Sequence, residues 1–133
     1  MFLSDLTKEQ SKYFLELAYI GMMANGEMKV EELEVFEAFK YETHMSDFVV
    51  QNIQLDDILH YFKNESKVIR NKVLIEFFGI LYSDKNICES EEVIIQKLQD
   101  SWELPRDYVD QCRFWVKDFT RLFQEAYDLI EAE

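Results

Sequence analysis

Oxygen-bearing side chains recur at two places in the chain with the same spacing. Asn25 is followed by Glu32, and 59 positions later Asp84 is followed by Glu91. Carboxylate and amide oxygens are the ligands that Ca²⁺ and Mg²⁺ prefer, whereas zinc favours nitrogen and sulfur. If the two turns meet in space, the four side chains form one site with three formal charges. The spacing therefore predicts a weak Ca²⁺ or Mg²⁺ site made of Asn25, Glu32, Asp84 and Glu91.

The same residues also have an ordinary structural interpretation. Asn25 and Gly26 are typical of the end of a helix, because both residue types tolerate a left-handed backbone. Glu32 and Glu91 fall in the first turns of the helices that follow, where the helix dipole stabilises a negative charge. A metal site and a degenerate turn without a metal therefore both remain open.

Known motifs for metal sites and catalysis are absent from the chain. An EF-hand loop needs Glu at its twelfth position, but counting from Asn25 or Asp84 that position holds Phe36 or Ile95. No Gly-rich phosphate loop, nucleophile elbow or H-E-x-x-H helix can be written from the sequence. We therefore expect a protein that is not an enzyme and has no organic cofactor. A hydrolase that uses the acidic side chains is the alternative.

The two turns lie between long segments with the apolar periodicity of helices. An offset of 59 residues pairs apolar positions with apolar positions, as Phe14 with Val73. This pattern predicts two helix-turn-helix repeats related by a pseudo-two-fold, repeat 1 at about 8–53 and repeat 2 at about 67–112. We expect a single all-α domain, residues 1–133, in which the two turns approach each other.

Start and stop signals predict about seven helices. Thr7 and Gln10 make a capping box at the first helix, and Pro105 fits the first turn of the last one. The predicted helices run from Thr7 to Asn25, from Val30 to about His44, from Phe48 to Ile53 after a cap at Ser46-Asp47, from Asp56 to about Phe62, from Ser66 to Ser83, from Glu89 to Asp100, and from about 106 to 131.

The last of these helices carries an apolar seam in which steps of four and three residues alternate, as in a heptad repeat. A helix of this length measures roughly 38 Å, and a domain of this size is only about 36 Å across. We expect the seam to pack on the two repeats. Any exposed remainder, around 123–130, would suit a homodimer or another partner. The seam consists of Tyr108, Cys112, Trp115, Phe119, Leu122, Ala126 and Leu129.

Composition excludes several functional classes. The chain has 133 residues and a net charge of −13, so phosphate backbones and anionic bilayers repel it and we expect no nucleic-acid binding. No apolar run approaches the roughly 20 residues of a membrane helix, and no signal peptide is recognisable. Two cysteines do not form a disulfide framework,. These features predict a cytoplasmic protein that does not insert into membranes.

The plan of the two turns resembles that of the TerB family of bacterial tellurite-resistance domains. The shared pattern is a small residue, Asp, Gly, then an apolar residue and Glu, placed between two apolar helices and used twice. Asn25 stands where the family has Asp, and Lys85 stands where the family has Gly. The resemblance implies an all-helical fold with an internal two-fold. It also implies divalent-cation binding at Asn25, Glu32, Asp84 and Glu91.

The function that follows from the resemblance is a non-enzymatic interaction module of a bacterial stress response. The resemblance implies protein partners, including membrane-associated complexes. A structural or adaptor domain without a metal is the alternative interpretation.

Overall fold

Six α-helices and one short 3-10 turn account for the regular structure of residues 1–26, 29–83 and 87–132, the part of the chain that the computed structural model describes. These ranges contain no strand, which confirms the all-α prediction. The 3-10 turn spans Leu3–Asp5, and the helices are α1 (Lys8–Met22), α2 (Val30–Glu42), α3 (Leu55–Lys63), α4 (Lys67–Leu81), α5 (Glu89–Ser101) and α6 (Arg106–Glu131).

The predicted caps start three of the helices. The Thr7 hydroxyl accepts the Gln10 backbone N–H at 3.1 Å, and the Gln10 side chain accepts the Thr7 N–H at 2.8 Å. Ser66 accepts the Ile69 N–H at 3.2 Å at the start of α4. Pro105 is the N-cap of α6. Side-chain oxygens at α1 and α4 thus satisfy backbone donors that a helix leaves without partners in its first turn.

The helix bounds repeat along the chain. Helix α4 begins and ends 59 residues after α1, and α5 begins and ends 59 residues after α2. The ends of α2 and α5 also match, because His44 and Glu103 both have a left-handed backbone, with φ of 58° and 53°. The next residues, Met45 and Leu104, each donate to the carbonyl five positions earlier, at 2.8 and 3.0 Å. These bonds form a Schellman motif at each helix end.

The second helices of the two halves have different neighbours. Helix α2 packs on α1 and α4, whereas α5 packs mainly on α3. The Trp102 indole at the end of α5 donates to the Leu59 carbonyl at 3.0 Å, and its ring meets Phe62 edge-on at a centroid distance of 6.0 Å. The halves are therefore alike in helix bounds and differ in how their second helices pack.

The centre of the fold is the contact between α1 and α4. Phe14, Leu17 and Ala18 on α1 are completely buried, as is Phe77 on α4. A Cβ atom added to Gly21 would lie only 2.6 Å from the Phe77 ring. The absence of a side chain at Gly21 therefore lets the two helices approach each other at this point.

The predicted short helix from Phe48 to Ile53 is wrong, because residues 48–54 have no regular structure. The cause is the buried Glu16 carboxylate of α1, which accepts the Gln51 N–H at 2.8 Å and the Ile53 N–H at 3.1 Å. Asn52 between them has a positive φ of 59°. Backbone donors bonded to a side chain in this way cannot make helical bonds.

Two acids hold the start of the chain against α2 and α4. The Met1 amine lies 2.6 Å from Glu42 and 3.3 Å from Glu76. The same carboxylates accept the backbone N–H groups of Leu3 and Phe2, at 3.0 and 2.9 Å. Burial alone would lower the pKa of the amine, but its hydrogen bond to Glu42 and the charge of Glu76 raise this pKa above its usual value.

The C-terminal seam packs on the bundle only near its beginning, and the exposed remainder expected around 123–130 is present. Val109, Cys112 and Val116 are the buried residues of α6, and every residue from 121 to 132 is exposed. The reason is length. Helix α6 has 26 residues and α4, on which it lies, has 15, so at about 1.5 Å per residue α6 is roughly 17 Å longer than its support. Its distal part projects from the bundle.

Two glycines inside helices provide a matched test of the central contact. Gly21→Ala should lower the free energy of unfolding by about 1–3 kcal/mol, since the new methyl group overpacks against Phe77. Gly79→Ala should instead raise it by about 0.5–1 kcal/mol, because no atom lies within 4 Å of the new Cβ and Ala favours a helix,. Urea unfolding measures both. Equal effects of the two substitutions would contradict a close contact at Gly21.

Candidate functional site

The first acidic turn follows the end of α1. Asn25 is exposed, and Gly26 after it has a φ of 82°, the left-handed conformation that suits a helix terminator. The Gly26 N–H donates to the Met23 carbonyl at 3.0 Å. The turn therefore has the geometry that the structural interpretation predicts, and it leaves the Asn25 side chain at the surface.

The two glutamates of the predicted site occupy equivalent buried positions. Glu32 and Glu91 are the third residues of α2 and α5, and they are 1% and 3% exposed. Glu91 Oε1 accepts the Cys88 backbone N–H at 2.9 Å, which is the bond that a third-position acid makes when it caps its own helix. Glu91 thus stabilises the start of α5. Its second carboxylate oxygen is the atom that could bind a cation.

A groove connects the first turn with the start of α5. It has a volume of about 500 Å³, and its lining includes Met23 and Ala24 at the end of α1, Asn52 of the connector, and Ser90 and Ile94 of α5. The structure therefore places the end of α1 close to the helix that carries Glu91.

The fourth predicted ligand, Asp84, lies outside the described residues, so the complete set of four has no described geometry. Within residues 1–26, 29–83 and 87–132, no group of three or more His, Cys, Asp or Glu side chains could hold a metal ion. The oxygen-rich donor set at Glu32 and Glu91 fits a hard cation in chemistry. The cation site of four side chains therefore stays a prediction from the sequence.

Cys112 and its neighbour Tyr108 lie where α6 meets the bundle. Burial raises the pKa of the Cys112 thiol, and a buried thiol that stays protonated is a weak nucleophile. Burial and a hydrogen bond to Cys112 raise the pKa of Tyr108 to about 12. Both side chains belong to the contact between α6 and the bundle.

An unusual exposed apolar surface lies on the distal part of α6. Four aromatic side chains one turn apart, Trp115, Phe119, Phe123 and Tyr127, contact one another in sequence, with centroid distances of 5.4, 5.9 and 5.3 Å. We call them the aromatic stripe. All four are at least 39% exposed. An exposed apolar surface of this kind is typical of an interaction site.

A groove continues the aromatic stripe into the bundle at the point where α6 leaves it. Its volume is about 220 Å³, and its lining includes Phe39 of α2, Gly79 of α4, and Trp115, Val116 and Phe119 of α6. We call it the root groove. Because Gly79 has no side chain and nothing lies within 4 Å of its Cβ position, the root groove is open to an incoming side chain.

Arg113 fixes the direction in which α6 leaves the bundle. Its guanidinium donates to both oxygens of Glu92 on α5, at 2.6 and 3.1 Å, and to the Tyr82 hydroxyl at 3.2 Å. The hydrogen bond to Glu92 raises the pKa of Arg113 further above its already high value. Arg113 also lies over the Phe78 ring at 5.2 Å. The root of α6 is therefore held on two sides, and its distal part is displayed in a defined direction.

Glu16 is the structurally important acid that sequence reasoning did not assign. Its sequence signal was available, since Glu16 lies between Leu15 and Leu17 in one of the two most apolar segments of the chain. An acid in such a segment must find donors when it is buried. The sequence could not indicate that those donors are the backbone groups of Gln51 and Ile53.

Among the described residues, no helix combines the length and apolar character needed to cross a membrane. Comparisons with models of protein families, with curated proteins and with solved structures gave no significant match. The resemblance to the TerB family therefore remains a prediction from the turn pattern.

The role of Glu16 can be tested by removing its carboxylate. Glu16→Ala should lower the free energy of unfolding by about 1–3 kcal/mol, because it leaves two partly buried backbone donors without their acceptor,. Glu34→Ala, at an exposed position of α2, is the control and should change stability by less than about 0.5 kcal/mol. Chemical denaturation measures both variants. A tolerated Glu16→Ala would mean that the connector does not depend on this carboxylate.

Proposed function

We propose that the protein is a non-enzymatic interaction module that displays α6 as a binding surface for another polypeptide. The observation that carries this proposal is the aromatic stripe. Its side chains are exposed along the apolar side of α6, and the root of that helix is held against the bundle. The resemblance to TerB domains adds the expectation of a role in a bacterial stress response, in assemblies that include membrane-associated partners. A cytoplasmic location belongs to the same proposal.

The net charge and the exposed apolar surface favour a protein partner over nucleic acid or a membrane. Binding to nucleic acid is disfavoured by the net charge of −13, which also repels anionic bilayers. An apolar stripe along one side of a helix is the form in which helices recognise grooves or other helices. The hydrolase alternative has less support, because the buried glutamates Glu16, Glu76 and Glu91 bind backbone N–H groups.

Weak binding of Ca²⁺ or Mg²⁺ at the acidic turns remains part of the proposal. It is supported by the matched burial of Glu32 and Glu91 at equivalent helix positions. The bond from Cys88 to Glu91 favours the second candidate, an interaction or adaptor domain whose turns are degenerate and bind no metal. The two candidates share the display of α6 and differ only at the turns.

Site-specific photo-crosslinking in cells that express the protein tests the binding surface. A photoreactive residue at Phe123 should give adducts with another polypeptide chain, because the proposed partner covers this side chain. The same residue at Lys63, which is exposed at the end of α3, is the control and should give none. The absence of adducts at Phe123, or equal adducts at both positions, would refute the assignment of the stripe as a binding surface.

Thermal unfolding in the presence of Ca²⁺, Mg²⁺ or Mn²⁺ tests the cation. A binding cation should add about 2.7 kcal/mol of stability at a hundred times its dissociation constant. The double variant Asp84→Asn, Glu91→Gln should lose this effect. The matched control is Asp47→Asn, Glu34→Gln, which removes the same charge from exposed positions and should keep it. A cation effect that survives in the first variant would place the site elsewhere, and no effect in the unmodified protein would favour the metal-free candidate.

A further inference from the structure

The apolar area displayed by α6 is large enough for a stable interface. Seven side chains between positions 115 and 130 are 39% to 77% exposed, namely Trp115, Phe119, Leu122, Phe123, Tyr127, Leu129 and Ile130. Since a fully covered aromatic side chain buries about 150–250 Å², the exposed parts add up to roughly 700 Å² of apolar surface. The largest patch on a typical monomer is about 300–600 Å², and a standard interface buries about 800 Å² per partner. The area of α6 therefore approaches that of one half of a dimer.

The apolar residues on the distal part of α6 share one side of the helix. Residues 121–132 are all exposed, so the bundle leaves this part of the side uncovered. Because the apolar residues from Trp115 to Ile130 lie on one side of the helix, a helix packed along that side would cover much of their surface.

A second copy of the chain fits this surface when the two α6 helices run antiparallel. If they cross near Phe123, in the middle of the exposed apolar side, Ile130 lies about 10 Å beyond the crossing point at 1.5 Å per residue. Val116 lies the same distance before it. Leu129 and Ile130 of one copy, the most exposed of the seven, then reach the level of the other copy's root groove, which has room for an aliphatic side chain.

The charges on α6 lie away from the proposed contact. Lys117, Asp118, Arg121, Glu125 and Asp128 line a groove together with Gln124, on the side of the helix opposite the apolar residues, and Arg121 pairs with Asp118 and Glu125 of its own helix. Pairing of the apolar sides therefore leaves these charges at the surface. The net charge of −13 on each copy opposes association, but this long-range repulsion is screened beyond about 8 Å at physiological salt.

We propose that two copies of this chain associate through antiparallel pairing of their α6 helices, with Leu129 and Ile130 of each copy placed in the root groove of the other. The pairing is isologous, so one two-fold axis near Phe123 closes the assembly as a dimer. This inference rests on the proposed function, because it identifies the polypeptide that covers the aromatic stripe.

Sedimentation of the purified protein at physiological ionic strength and increasing concentration tests the dimer. The unmodified protein should show a monomer–dimer equilibrium. Phe123→Glu should raise the dissociation constant roughly tenfold or more, since it buries a charge at the centre of the interface. Gln124→Glu is the matched control, because it adds the same charge at the adjacent position, away from the apolar side, and should leave the equilibrium unchanged. A strict monomer, or equal effects of both variants, would overturn the proposal.

Two further variants test whether Leu129 and Ile130 dock in the root groove. Leu129→Glu changes a side chain that is 77% exposed, so the monomer should fold normally while dimerisation weakens. Gly79→Leu should fill the root groove from the other side and weaken the dimer in the same way, with circular dichroism as the check on folding. If the folded variants dimerise as tightly as the unmodified protein, Leu129 and Ile130 do not dock in the root groove.

Distances between spin labels decide the orientation. A label at Glu131→Cys, with Cys88→Ser and Cys112→Ala to remove the native thiols, should give a distance of roughly 25 Å between copies in an antiparallel pair. A parallel pair would bring the labels to roughly 10 Å, the usual separation of packed helices, and would overturn the proposed arrangement.

The failure of this inference can be distinguished from the failure of the proposed function. A strict monomer that still forms adducts from Phe123 with a different protein would refute the dimer and support the binding surface. A strict monomer without any adduct at Phe123 would refute both.

Discussion

The contact between α1 and α4 is the constraint on which the other parts of the structure depend. The two helices approach closely at Gly21, where Phe77 occupies the space of a side chain. Helices α2 and α3 then pack on α1 and α4, and α6 lies along α4. Because protein interiors are close-packed, the positions of α2, α3 and α6 follow from this central pair, and α5 then packs mainly on α3.

Buried carboxylates serve this fold as acceptors for backbone N–H groups. Glu16 holds the connector between α2 and α3, Glu76 holds the beginning of the chain, and Glu91 caps α5. A buried charge is tolerated when hydrogen-bond donors surround it. Glu16, Glu76 and Glu91 thus have structural roles inside the bundle.

The function that we propose is a consequence of unequal helix lengths. Helices α1 to α5 have 9 to 15 residues, and α6 has 26. The bundle can cover only the first part of α6, and Arg113 holds that part in place through Glu92 and Tyr82. The apolar seam continues beyond the support, so the aromatic stripe is both uncovered and well oriented. A binding partner would gain affinity from a surface that is already ordered.

Local signals in the sequence determined the helices, their caps and the 59-residue repeat of their bounds, because capping side chains and apolar periodicity act within a few residues of the chain. Tertiary structure decided the rest. Whether residues 48–54 form a helix depended on Glu16, which is distant in sequence, and whether the α6 seam is buried depended on the length of α4. Periodicity shows which side of a helix is apolar, but only the packed structure shows how much of that side its neighbours can cover.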